Sequence, residues 1–353
     1  MKKLILTIAS MMLSLGAMSQ QVSFLVGTYT QKDSKGVYKV TLEQETGHLF
    51  VDGVIIKAQN PSYVAYSKNR KYLGVLNESE EGTVSLYKVL DGQYHLVNRQ
   101  HTKGSYPCHI SFDGSNNVYV ANYGSGNVSV FKIEDKKLSE IKQTIKYDKT
   151  GPNTGRQEAS HAHFSNFVKH SKTLYTVDLG GDEVHAYHMA KDGLQEKFSF
   201  QITPGGGPRH LVDNGGHIYV LEELTSKVAV YNKEGNTPQL VQEISMLPEG
   251  FTDANTGAAI KMSKDKKFLY ATNRGDNSIV IFKVLQDGQL EVIGHESVRG
   301  DSPRDFSFSP KQNYIVVANQ ESDNITLFKR NKETGLLEFV GEAEISMPVN
   351  IVF

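Results

Sequence analysis

Arg156, Glu158, His161 and His163 fall within eight residues of one another, in the stretch GPNTGRQEASHAHFSN that begins at Gly151. Three kinds of chemistry suit that set. The imidazoles and the carboxylate can move protons to and from a reacting group. The guanidinium can grip a carboxylate, a phosphate or sugar hydroxyls with its planar fork. His161, His163 and Glu158 could also ligate a metal ion. The neighbouring arginines oppose a bound cation, and Cys108 is the only cysteine, so no metal and no other cofactor is expected. His161 and His163 lie two residues apart, which turns both to one side if the backbone is extended.

A loop of this kind acts only where a scaffold carries it. The chain has 353 residues with 38 Lys+Arg against 39 Asp+Glu, a net charge of -1, which argues against a nucleic-acid partner. It opens MKKLILTIASMMLSLGAMSQQ: two lysines, an apolar run from Leu4 to Leu15 and a small-x-small step at Ala17–Ser19. That run is too short to span a bilayer and reads as a secretory signal peptide over 1–19. With no cysteine after the cleavage step, no membrane anchor is expected, and the mature chain is placed in the periplasm or outside the cell.

Repeats set the architecture of residues 20–353. Six segments share one form, typified by YPCHISFDGSNNVYVANYGSGNVSVFKI from Tyr106. Aligned on Pro61, Pro107, Ser160, Pro208, Gly257 and Pro303, they step by 46, 53, 48, 49 and 46 residues. That is the length of a four-stranded propeller blade. The seventh repeat is split: SMPVNIVF at the C-terminus starts a blade that FLVGTYTQKDSKGVYKV at the N-terminus continues. Pairing them would close the ring and remove two open sheet edges. The expectation is an all-β, seven-bladed β-propeller forming one domain, and a monomer. A WD-type propeller is excluded because the chain has no Trp.

Departures from the repeat mark candidate chemistry. The slot after the Pro-like position holds Ser62, Cys108, His161, Arg209, Ala258, Arg304 and Val349, and the slot ending the second strand holds Gly27, Asn77, Asn122, Asp178, Glu222, Asn273 and Asn319. The residue after that is Thr28, Glu78, Tyr123, Leu179, Glu223, Arg274 or Gln320. His161, Arg209 and Glu222, with Arg274 from the next repeat, form one sector of the channel mouth. The 53-residue step leaves a long loop that delivers Arg156, Glu158, His161 and His163 there. Of the adjacent pair Glu222 and Glu223, alternation sends only one inward; the repeat alignment selects Glu222, and a slip of one residue would select Glu223.

GPNTGRQEASHAH, VDLGGDEVHAY, GGGPRH, YATNRGDNSI and SPRDFSFSP resemble the seven-bladed propeller lactonases, the propeller-type 6-phosphogluconolactonases and the related 3-carboxymuconate lactonising enzymes. The resemblance covers essentially the whole mature chain. It implies a His, Arg, Glu, Arg site, which falls here on His161 or His163, then Arg209, Glu222 and Arg274. It implies hydrolysis of a small sugar lactone and leaves the phosphate open, because family phosphogluconolactonases act in the cytosol whereas this chain begins with an export signal.

Lactone opening needs a base for water, for which Glu222 or a histidine serves, and an acid for the departing ring oxygen, assigned to His161. Arg209 and Arg274 suit the tetrahedral oxyanion. Arg156, Glu158, His163 and Arg304 are assigned to substrate binding, although Arg304 has a plainer reading as the ion-pair partner of Asp301 or Asp305. Two other readings use the same fold: a cycloisomerase acting on muconate-type lactones, and a secreted propeller that binds a ligand without catalysis.

Overall fold

The computed structural model describes residues 21–353. The expected signal peptide, residues 1–19, lies outside the described residues.

Alternating β-branched and aromatic residues between Gly/Asn/Asp turns produce antiparallel hairpins throughout. They assemble into seven small sheets, six of four strands and one of five. Blade 1 is the split one: Pro348–Val352 pairs antiparallel with Gln21–Thr28, followed by Gly36–Glu43 and His48–Lys57. Blades 2 to 7 take residues 64–101, 107–146, 162–201, 208–245, 256–297 and 303–344. The ring is therefore closed by its two terminal segments, as the split repeat predicts.

The core lies between blades. One apolar cluster joins Phe164, Tyr175 and Val177 of blade 4 to Leu211, Ile218 and Val220 of blade 5, and another joins blades 7 and 1. A tyrosine recurs in the second strand and crosses to the next blade. Tyr219 donates to the Gly288 carbonyl at 2.9 Å, Tyr270 to Gly335 at 2.7 Å and Tyr314 to Gln44 at 2.7 Å. Each crossing hydroxyl satisfies its polar end while burying its ring.

Two features of the innermost strands aim side chains at the central channel. In five blades the residue before the Pro-like position has positive φ: Asn60, Tyr106, Gly207, Ser302 and Met347. The next residue but one is a β-bulge, an extra residue thrown out of the ladder: Cys108, Arg209 and Arg304 in blades 3, 5 and 7. Bulges re-aim side chains in this way. In blade 4 the bulged residue is His163, because Ala162 pairs with Asp178 and Phe164 with Val177. The Pro-like residue of that blade is thus Ala162, not Ser160, and His163, not His161, shares the slot of Arg209. The alignment slipped by two because blade 4 lacks the proline that marks the position in blades 1, 2, 3, 5 and 7.

The second feature concerns the end of the second strand. Pro107 faces Asn122, Pro208 faces Glu222 and Pro303 faces Asn319, so the register read from the repeats is the observed one. These side chains, however, point between blades. Asn319 donates to the Val298 carbonyl at 3.4 Å and Asn273 to Met246 at 2.8 Å. Blade 1 has Gly27 in this slot because a Cβ there would lie 2.6 Å from the Pro61 carbonyl oxygen. In blades 2, 3, 5 and 6 the residue one further on, Glu78, Tyr123, Glu223 or Arg274, lines a cavity at the channel mouth.

Candidate active site

Glu223 stands at the centre of the channel mouth. Its Oε1 is 2.5 Å from Arg156 Nη2, and its Oε2 is 2.9 Å from Arg209 Nε and 3.2 Å from Arg274 Nη2. Burial alone would raise its carboxyl, but Arg274 and Arg209 overwhelm that effect and hold it well below the usual carboxylate range. The arginines are fixed from behind. Arg209 donates to the Ala258 carbonyl, and Arg274 Nη2 to Gly257 at 2.9 Å. Burial and the nearby Arg274 lower Arg209 to about 10.

Above Arg209, a cavity of about 190 Å³ is lined by Glu78, Cys108, Tyr123, Arg156, His163, Glu223, Arg274 and Arg304. The His163 ring packs edge-on to Tyr123, and its Nδ1 has no hydrogen-bond partner. Burial, then the charge of Arg209, lower it well below the ordinary histidine value, so it is an uncharged imidazole at neutral pH. Arg274 Nε is also buried without a partner. Across the cavity, Arg304 Nη2 donates to Tyr29 Oη at 2.8 Å, and Tyr29 Oη donates to Glu78 Oε1 at 2.9 Å. Four guanidinium groups thus stand against two carboxylates around one opening, a local excess of positive charge in a nearly neutral chain.

The long loop is tied down by Gln157, which is fully buried. Gln157 Nε2 donates to Asp182 Oδ1 at 2.7 Å and to the Leu179 carbonyl at 2.9 Å. Asp182 also accepts from the Gly205 and Gly207 amides at 2.7 and 2.8 Å. One carboxylate therefore braces both the loop bearing Arg156 and the turn that leads into Arg209.

Residues 23–353 match the family described as Lactonase, 7-bladed beta-propeller. The chain belongs to this lactonase family. It is 35% identical over 339 residues to a 6-phosphogluconolactonase of Bacillus subtilis, covering 93% of this chain and 97% of that one. It is 33% identical over 331 residues to a 6-phosphogluconolactonase of Formosa agariphila, covering 89% and 94%. The solved structure of a periplasmic gluconolactonase of Pseudomonas aeruginosa superposes with a TM-score of 0.88 at 28% identity, covering 94% and 99%.

In this lactonase-family chain the residues singled out from sequence have different fates. Arg156, His163, Arg274 and Arg304 line the cavity, and Arg209 lies just beneath it. Arg304 bonds Tyr29 and Gln320 rather than Asp301 or Asp305. Glu158 does not line the cavity and is more than half exposed, with Oε1 3.2 Å from His161 Nε2. His161 is not among the residues that line the cavity. Its ring stacks on Tyr123 with centroids 4.3 Å apart, and its Nδ1 lies 3.0 Å from the Tyr123 carbonyl oxygen. The bulge at His163 is what breaks the simple i, i+2 alternation.

Glu222 is the larger correction. It occupies the inter-blade amide slot, where it accepts from Thr225 Oγ1 at 2.5 Å, and burial raises its carboxyl to about 7. Its neighbour Glu223 takes the place expected of it. Sequence reasoning also passed over Glu78 and Tyr123, which hold the Glu223 slot in blades 2 and 3. The signal was present: that slot varies from blade to blade far more than the Asn-rich one before it.

Proposed function

We propose that this chain hydrolyses a sugar lactone carrying, or releasing as product, an anionic group, and that it does so in the channel-mouth cavity. The observation that carries this reading is the arrangement around Glu223: a fully engaged carboxylate pins three guanidinium groups in fixed positions while leaving Arg274 Nε unpartnered. Preorganised cationic donors in a water-poor site stabilise the oxyanion of the tetrahedral intermediate without reorganising as it forms. Arg274 serves that oxyanion, Arg209 holds Glu223 from below, and Arg156 with Arg304 grips the anionic end of the substrate. Uncharged His163 offers one N–H and one lone pair and orients a substrate hydroxyl.

The relatives named 6-phosphogluconolactonase and the neighbour named periplasmic gluconolactonase support this class of substrate. The latter, with the leader read from the sequence, also supports a periplasmic or secreted location. The test is the initial rate at which purified 20–353 opens gluconolactone and its 6-phosphate, taken above the spontaneous rate. Acceleration of either supports the reading, and the preferred lactone reports whether Arg156 and Arg304 meet a phosphate. Rates equal to the blank on both would reject it.

A further inference from the structure

Two carboxylates share the cavity, and their surroundings differ in a way that separates their roles. Glu223 has both oxygens occupied by guanidinium groups and is held deprotonated by them. A group in that state cannot carry a proton during a reaction. Glu78 occupies the same slot in blade 2, and its backbone is clamped: its N–H donates to the Asn60 carbonyl at 3.0 Å, and Asn60 Nδ2 donates to its carbonyl at 3.3 Å. Its Oε1 accepts from Tyr29 Oη at 2.9 Å, and its Oε2 has no partner. Among the described residues no lysine or arginine lies within ion-pair distance of it. Arg304 stands one hydroxyl away, its Nη2 2.8 Å from Tyr29 Oη, close enough for the two opposite charges to attract each other without a direct ion pair.

We infer that Glu78 is the general base of the cavity, with Tyr29 as its positioning residue. This rests on the lactonase reading above. Glu78 takes a proton from water as the water oxygen bonds to the lactone carbonyl carbon, and the carbonyl electron pair moves onto the oxygen facing Arg274. When the tetrahedral intermediate collapses, the carbon–ring-oxygen bond breaks and the Glu78 carboxyl returns its proton to the departing oxygen. The sum is lactone plus water giving a hydroxy acid, with Glu78 restored. One oxygen held by Tyr29 and one left free is the arrangement this cycle needs. Glu223, by contrast, holds the arginines.

The test uses the intact mature chain with gluconolactone and its 6-phosphate as probes. Glu78→Gln is expected to lower kcat by roughly 100-fold or more, the usual scale for a general base, with KM changed less than about threefold because no substrate-gripping guanidinium is bound to it. Glu78→Ala is expected to regain part of its kcat in added formate, a small base that fits the space left by the side chain and that would not repair a merely structural defect. Wild-type acceleration with Glu78→Gln retaining kcat within about threefold would overturn the role of Glu78 and leave the lactonase reading standing. A kcat loss in Glu78→Gln with no recovery of Glu78→Ala in formate would overturn it as well. Wild-type rates equal to the blank on both lactones would overturn the lactonase reading and this assignment together.

Discussion

Replacing each of two adjacent glutamates with glutamine should shift stability in opposite directions, and pH should show why. Glu222 is buried between blades, with one oxygen on Thr225 and the other unpartnered, and burial lifts its carboxyl from 4.5 to about 7. A rise of that size corresponds to ~3 kcal/mol of folding stability. The raised value fixes the sign. Below about pH 4.5 the group is protonated in folded and unfolded chains alike and costs nothing. As pH climbs through 4.5 toward 7 the unfolded chain gives up the proton first, so stability falls, and the loss is complete about one unit above 7.

Glu222→Gln removes that loss. At pH 8.5 the variant should be the more stable protein by ~2–3 kcal/mol, and at pH 4 the two should differ by less than ~1 kcal/mol. Glu223→Gln leaves three guanidinium groups facing one another without their carboxylate and should cost ~3–5 kcal/mol at neutral pH. For a chain of 353 residues, at ~2.1 cal/mol/K per residue, each kcal/mol moves the melting midpoint by roughly 1.3 °C. The shifts are then ~3–4 °C upward for Glu222→Gln at pH 8.5 and ~4–7 °C downward for Glu223→Gln. Melting followed by circular dichroism between pH 4 and 9 measures both. A Glu222→Gln variant destabilised equally at both ends of that range, or a Glu223→Gln variant that melts with the wild type, would refute the placement of the two side chains.

Three further outcomes follow from the same contacts. Arg274→Ala should lower kcat by ~10²–10³-fold on whichever lactone the wild type opens, the scale of a lost oxyanion donor, with a far-ultraviolet spectrum like that of the wild type. Gln157→Ala cuts the tie between the Arg156 loop and Asp182 and should raise KM by roughly tenfold, the scale of one or two lost buried hydrogen bonds, while kcat falls less. Asp305→Ala frees the Lys261 ammonium held at 2.8 Å and the Asn350 amide held at 2.9 Å where the terminal strand closes the ring. Urea unfolding should show a loss of ~3–5 kcal/mol, the range for breaking a buried pair.

The fold was legible because a propeller writes its period into the chain. The recurring tyrosine, the Asn-rich strand end and the split blade each leave a residue-type signature at a fixed step. The site was legible as a set of segments, since the loop at Arg156 and the strands at Arg209 and Arg274 do meet. What the repeats could not supply was facing. An alignment shows which residues share a slot, and Glu222 does share one with Asn122 and Asn319, but whether that slot looks at the channel or at the next blade depends on sheet twist and on the bulge beside it. The histidines went astray for a related reason. Without the proline that marks the position in five of the other blades, the repeat could be anchored at Ser160 or at Ala162, and the two-residue difference exchanged His161 for His163.

The most direct test of the site is the rate pair for the two neighbouring carboxylates. Initial rates of lactone opening above the blank should be retained in Glu222→Gln to within about twofold, since its side chain lies between blades, and should fall by at least ~100-fold in Glu223→Gln, whose loss releases the arginines. The reverse order, or equal loss in both, would contradict a catalytic mouth organised around Glu223.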